Sequence, residues 1–252
     1  MTFAVAADAY DRFMGRYSRS LAPQFADLAG VRAGQRALDV GCGAGALTTE
    51  LVGRLGAGAV VAADPSEPFV EAARRRHPGV RVAPARAEEL PFDDGAFDVA
   101  LAQLVVHFMS DPVAGLAEMR RVTRDGGMVA ACVWDHAGGK APLSPFWRAV
   151  AELDPDAHDE SGLPGAREGQ LGALFASAGI EEVEDDVLWL HAEHASFEEW
   201  WEPFTLGVGP AGDYVARLDA DAGAELRERC RLLLGDGPLK LAMRAWAARG
   251  RA

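Results

Sequence analysis

The sequence predicts an α/β fold on a mostly parallel sheet, and three observations lead there. Short apolar runs alternate with helical segments from residue 36 to residue 133. The first of these runs feeds straight into a glycine-rich loop that opens a helix. The second ends in an acid, Asp64. Repeated strand–helix–strand units of this length imply parallel pairing with right-handed crossovers.

Element by element, residues 8–29 predict one or two helices, because Phe13, Tyr17, Leu21 and Phe25 recur on one helical face. Gly34 then interrupts the chain. Arg36–Val40 is a strand, and Ala46–Leu55 a helix with Leu47, Leu51 and Leu55 on one side. Ala59–Ala63 is the second strand. Ser66–Arg76 is a helix with Ser66 at its N-cap. Val80–Pro84 and Phe97–Ala102 are the third and fourth strands, and Asp111 caps a helix running to Val122. The Gly126-Gly127 pair turns the chain into a fifth strand, Met128–Val133. Beyond it, Leu143–Leu153 and Gln170–Ala178 are helical, separated by a Pro-, Asp- and Gly-rich loop over Asp154–Gly165. Ile180–His191 is a sixth strand, Phe197–Phe204 and Ala216–Leu234 are helices, and Leu239–Ala247 is the last strand. One domain over 1–252 is expected: lid helices over 1–30, a ligand-binding core over 31–135, and insertions with the last strands over 136–252.

Composition narrows the partners. With 38 acidic and 25 basic residues the net charge is −13, which disfavours nucleic acid and otherwise serves solubility. Cys42, Cys132 and Cys230 form no CxxC pair, so neither a disulfide framework nor a zinc site is expected, and a reducing cytoplasm fits. Asp8, Asp11 and Asp27 rule out a signal-peptide pattern in the first 30 residues, and no membrane-spanning stretch is expected. The oligomeric state is left open.

The segment Leu38-Asp39-Val40-Gly41-Cys42-Gly43-Ala44-Gly45 is the most informative. Glycines there let a ligand approach the backbone at the carboxyl end of a strand. Gly41, Gly43 and Ala46 also satisfy a dinucleotide fingerprint, whereas a Walker phosphate loop is excluded because no Gly-Lys-Ser/Thr follows. Asp64 lies 64 − 39 = 25 residues beyond Asp39 and suits the two hydroxyls of a ribose, in NAD as much as in another nucleoside. Asp39, beside the loop, would repel a pyrophosphate and suits a ligand carrying an ammonium and a sulfonium. That charge argument favours S-adenosyl-L-methionine over NAD. A turn-capping role is the plain structural alternative for Asp39.

These blocks, with Ala85–Phe92 followed by Phe97-Asp98-Val99, and Arg120-Arg121-Val122 with Gly126-Gly127, resemble the class I S-adenosylmethionine-dependent methyltransferases. The branch most similar is the small-molecule one related to ubiquinone and menaquinone biosynthesis. Tyr10–Ser18 is similar to the leading helix of some members. The resemblance implies a Rossmann-like three-layer sandwich: a seven-stranded, mostly parallel sheet with an antiparallel last strand, plus a helical lid. It places Asp39, Gly41 and Gly43 at the methionine end, with Cys42 between them as a small loop residue without chemistry of its own. It puts Asp64 on the ribose, Pro65 near the adenine, Ala87 and Glu88 flanking the adenine, and Gln103 towards the methionyl part. Tyr10 and Arg19 would reach the cofactor from the lid; Tyr10 also fits an amphipathic core position, and Glu88 a solvated turn.

Methyl transfer from a sulfonium needs alignment more than acid–base help. His107, just beyond the fourth strand, is the candidate base if the acceptor must lose a proton, with a packing role as the alternative; His136 is the next candidate. His191 and His194 lack a third ligand and are expected to be a surface pair, not a metal site. Trp147, Trp189, Trp200, Trp201 and Phe204 offer aromatic surface for an apolar or planar small-molecule acceptor, or simply core packing. A cofactor-binding protein without methyl transfer, and an NAD-dependent oxidoreductase, are the competing readings.

Overall fold

A computed structural model describes residues 7–252. The chain enters through a short helix α1 (Ala7–Tyr10), passes through a π-helical turn at Asp11–Gly15 and continues as α2 (Arg16–Leu28). The core then alternates β1 (Ala37–Val40), α3 (Ala46–Leu55), β2 (Val60–Asp64), α4 (Glu67–Arg76), β3 (Arg81–Pro84), β4 (Phe97–Gln103), α5 (Pro112–Val122) and β5 (Thr123–Trp134). The second half supplies α6 (Ser144–Leu153), α7 (Gln170–Ser177), β6 (Glu181–His194), α8 (Phe197–Trp201), α9 (Gly209–Ala216), α10 (Ala220–Leu234) and β7 (Leu239–Arg251).

The seven strands form one sheet in the order β3-β2-β1-β4-β5-β7-β6. β1 to β5 pair in parallel, while β7 runs antiparallel to both β5 and β6. β1 and β2 are buried throughout, which explains why they read as continuous apolar runs. One face packs against Leu21 and Phe25 of α2 and Leu47 and Leu51 of α3. The other packs against Leu116 and Met119 of α5 and Leu171 and Phe175 of α7. The strand order reverses between β1 and β4, and open α/β sheets bind ligands at the carboxyl ends of strands flanking such a reversal. A third apolar cluster joins Phe146, Trp147, Phe197, Trp200 and Phe204 of the insertions to Phe13 of the N-terminal segment.

Several local expectations are corrected. The helix expected over Ala216–Leu234 starts four residues later, at Ala220, because the Asp219 carboxylate accepts the Ala222 amide at 2.8 Å and caps α10. β5 begins at Thr123, ahead of the glycine pair: Thr123 pairs with Phe97 and Met128 with Val99, so the residues between them bulge, with Gly126 at φ +67°. β7 runs on to Arg251, and at Gly250 a Cβ would lie 2.5 Å from Ile180. His191 and His194 are not a surface pair. Three residues apart on a strand they face opposite sides, and His194 is buried. Trp189 stands apart from the aromatic cluster, half exposed with Arg244 over its ring at 5.5 Å. Among the described residues no helix is long and apolar enough to cross a membrane.

Candidate active site

A cleft of about 540 Å³ opens at the strand reversal, within the usual range for a small-molecule site. Its floor is the β1–α3 loop. The Gly41 and Cys42 amides both donate to the Ala63 carbonyl, at 2.7 and 3.0 Å, which moors the loop to the end of β2. Gly41 has φ +69°, and a Cβ there would lie 2.5 Å from Val105. Gly43 has φ +53°, and a Cβ there would meet no protein atom within 4 Å. It would project instead into the space the cleft provides.

Asp64 ends β2 and lines the cleft. Its Oδ2 accepts the Gly43 amide at 2.9 Å and its Oδ1 the Ser66 amide at 2.8 Å, so both oxygens are held in place with lone pairs to spare. Burial pushes its pKa up, against the pull of those two backbone bonds. Pro65 lines the same wall, and Tyr10 closes over it with its ring edge-on to Phe69 at 5.2 Å. Ala87 and Glu88 also line the cleft. The Glu88 carboxylate accepts the Ser110 amide at 2.7 Å, tying the two loops together.

Gln103, the last residue of β4, also lines the cleft and is buried. Its Nε2 donates to the Ser18 carbonyl at 3.0 Å, while its Oε1 has no hydrogen-bond partner. A buried acceptor left unmet costs about 1–3 kcal/mol, so this atom points to a ligand donor. Leu104 follows with φ +63°, a conformation that costs a bulky residue about 1–3 kcal/mol. Its amide is anchored on the Cys132 carbonyl at 2.9 Å, and it lines the cleft as well. Nothing in the residue type announces that strain.

Four expected site residues are not among those lining the cleft. Asp39 is 1% exposed and sits beneath the loop, where its Oδ2 accepts the Thr48 hydroxyl at 2.6 Å. Burial raises its pKa to about 7, with the Thr48 bond opposing. Cys42 is buried, its thiol likewise pushed up by burial. Arg19 points away from the cleft, paired to Asp11 at 2.6 Å in a charged groove bounded by Arg16 and Glu199. His107 is buried in a 3-10 turn (Val106–Phe108) behind the cleft wall, its ring centroid 3.9 Å from that of Phe108, which lines the cleft.

The sheet order and its flanking helices are those of the methyltransferase fold. Residues 38–131 match the family model described as a methyltransferase domain. It is 39% identical over 169 residues to an uncharacterized 37.1 kDa protein in a transposon of Streptomyces fradiae, covering 65% of this chain and 48% of that one. It is 35% identical over 120 residues to the demethylmenaquinone methyltransferase of Beutenbergia cavernae, covering 48% of each. The chain thus spans about half the length of these curated relatives. Among solved structures, phosphoethanolamine N-methyltransferase 2 of Haemonchus contortus, in complex with S-adenosyl-L-methionine, shares the fold with a TM-score of 0.58. That match has 16% identity over 97% of this chain and 56% of the other.

Proposed function

We propose that the protein binds S-adenosyl-L-methionine in this cleft and transfers its methyl group to a small apolar or aromatic acceptor. The observation that carries the reading is the unmet Oε1 of Gln103 in the same cleft as the fixed carboxylate of Asp64. The bound cofactor supplies a methyl group already activated on a sulfonium. Asp64 accepts hydrogen bonds from the ribose hydroxyls. Gln103 Oε1 accepts from the ammonium. The bare backbone at Gly43 lets the cofactor lie against the loop, and Ala87, with the loop that Glu88 holds, flanks the adenine. Asp39 contributes negative potential from below without touching the ligand. Tyr10 excludes water from above, and Arg19, paired to Asp11, holds the N-terminal segment that carries Tyr10.

The cluster around Phe146, Trp147 and Phe204 is buried packing between the insertions and the N-terminal segment; Phe69 and Phe108 in the cleft wall support an apolar or planar acceptor. Net charge −13 speaks against nucleic acid, and three buried free cysteines fit a reducing cytoplasm. Calorimetry with S-adenosylmethionine, S-adenosylhomocysteine and NAD tests the reading. Micromolar binding of the first two and none of NAD is expected; NAD binding without the others would overturn it.

A further inference from the structure

The carboxyl ends of β4 and β5 each carry a histidine, and the insertion after β5 closes over both. His107 and His136 lie with ring centroids 5.7 Å apart. His107 Nδ1 and His136 Nε2 are buried with no hydrogen-bond partner. On its other side, His136 presents Nδ1 to Glu160 Oε2 at 3.8 Å. Glu160 is itself only 5% exposed and is aligned by the Trp147 indole N–H at 2.9 Å. Burial raises the Glu160 pKa to about 7; in its ionised form above that pH, its carboxylate favours the tautomer with the proton on Nδ1, which leaves a lone pair on His136 Nε2. Two buried ring nitrogens without partners cost folding free energy. They lie just behind the cleft wall, where Phe108 packs on His107 and lines the cleft.

Resting on the methyl-transfer reading above, we infer that His136, backed by Glu160, is the base for the acceptor, and that the acceptor presents a phenol-type hydroxyl. The O–H proton passes to His136 Nε2 as the oxygen bonds to the methyl carbon. The carbon–sulfur bond breaks with its electron pair going to sulfur. The products are a methyl ether, S-adenosylhomocysteine and an imidazolium facing Glu160, whose proton then leaves to solvent. His107, through Nδ1–H, holds the same oxygen. The base thus shifts from His107, which has no carboxylate behind it, to its neighbour. Burial keeps both imidazoles neutral, His136 with a pKa of about 4, so an acidic aromatic hydroxyl suits them better than an alkyl alcohol. An acceptor carboxylate would face Glu160 and is disfavoured. Phe108, against His107 and in the cleft wall, gives a planar ring a surface to lie on.

The test is NMR of the imidazole signals in the S-adenosylhomocysteine complex, titrated with phenol and with anisole. Phenol should bind at least tenfold tighter than anisole and move the His136 and His107 signals. His136→Phe and, separately, Glu160→Gln should lose that preference while keeping their affinity for S-adenosylhomocysteine. Equal binding of the two probes, or a preference that survives in either variant, would overturn the assignment. Failure of S-adenosylhomocysteine to bind at all would instead sink the methyl-transfer reading, so the two failures are told apart.

Discussion

The Thr48 hydroxyl donates to the Asp39 carboxylate at 2.6 Å, and this bond is what keeps a carboxylate buried at 1% exposure beneath the glycine loop. Burial still raises the Asp39 pKa from 3.8 to about 7. The folded state therefore holds a proton that the unfolded chain releases, so this group's contribution to stability falls as pH rises from about 4 to 7 and then levels off. A cationic ligand reverses the preference by favouring the carboxylate. Affinity for S-adenosylmethionine should rise with pH through about 7, by at most tenfold per unit. Proton release should appear in calorimetry as a dependence of the heat on buffer ionisation. Asp39→Asn should flatten the profile; an unchanged profile in that variant would remove Asp39 from the account.

Asp64 offers a sharper loss. Asp64→Asn removes a charged acceptor facing the cleft and disturbs the bonds from the Gly43 and Ser66 amides. Hydrogen bonds to charged groups contribute about 1.5–3 kcal/mol, so affinity for S-adenosylhomocysteine should drop roughly 10- to 150-fold. Gly43→Ala should also abolish tight binding, through a Cβ placed in the cleft at φ +53°, with a melting temperature only slightly lower. Wild-type affinity in both variants would show that the ligand lies elsewhere.

Stability should depend strongly on Asp135. Its carboxylate, 1% exposed, accepts from Arg244 at 2.6 and 2.9 Å, from the Trp246 indole at 3.0 Å and from the Gly138 amide at 2.8 Å. It locks the end of β5 to β7. Truncation to alanine strands a guanidinium and an indole N–H, and breaking a buried pair in this way costs about 3–5 kcal/mol. Urea unfolding of Asp135→Ala should show a loss of that size; a loss below about 1 kcal/mol would mean that the pair is effectively solvated.

The parallel half of the fold was readable because each strand there is short, apolar and punctuated by glycine or an acid. Asp64 was readable for the same reason: an acid ending an apolar run has few structural uses. Glu160 was not, since it sits in a Pro-, Asp- and Gly-rich loop that looks solvated, and its burial against Trp147 and His136 arises only in the fold. Leu104 was invisible because a left-handed leucine leaves no compositional trace. Asp39 was legible as an acid in the first strand, but its bond from Thr48, nine residues on in the next helix, was not, since a threonine there has no pattern that marks it as a partner.

Helix α2 is clamped to β6, at the far edge of the sheet, through His194. Arg16 Nη1 lies 2.9 Å from His194 Nδ1, and Tyr17 Oη lies 3.1 Å from Nε2. A guanidinium can only donate, so Nδ1 must carry the lone pair and the neutral ring must donate through Nε2–H to Tyr17. Burial, and then the Arg16 charge, lower the His194 pKa below 6.5, with Glu199 opposing. Because the folded pKa is depressed, the clamp is fully present above about pH 6.5 and is lost as pH falls towards the folded value. Protonation would set an N–H against the guanidinium and release α2 from β6. Hydrogen exchange, corrected for intrinsic rates, should show the amides of residues 16–28 less protected at pH 5.5 than at pH 7.5. The parallel core strands should change less. His194→Gln cannot take up the proton, so the differential loss over 16–28 should disappear in that variant. If it persists there, another group loosens the helix and the clamp is not what holds it.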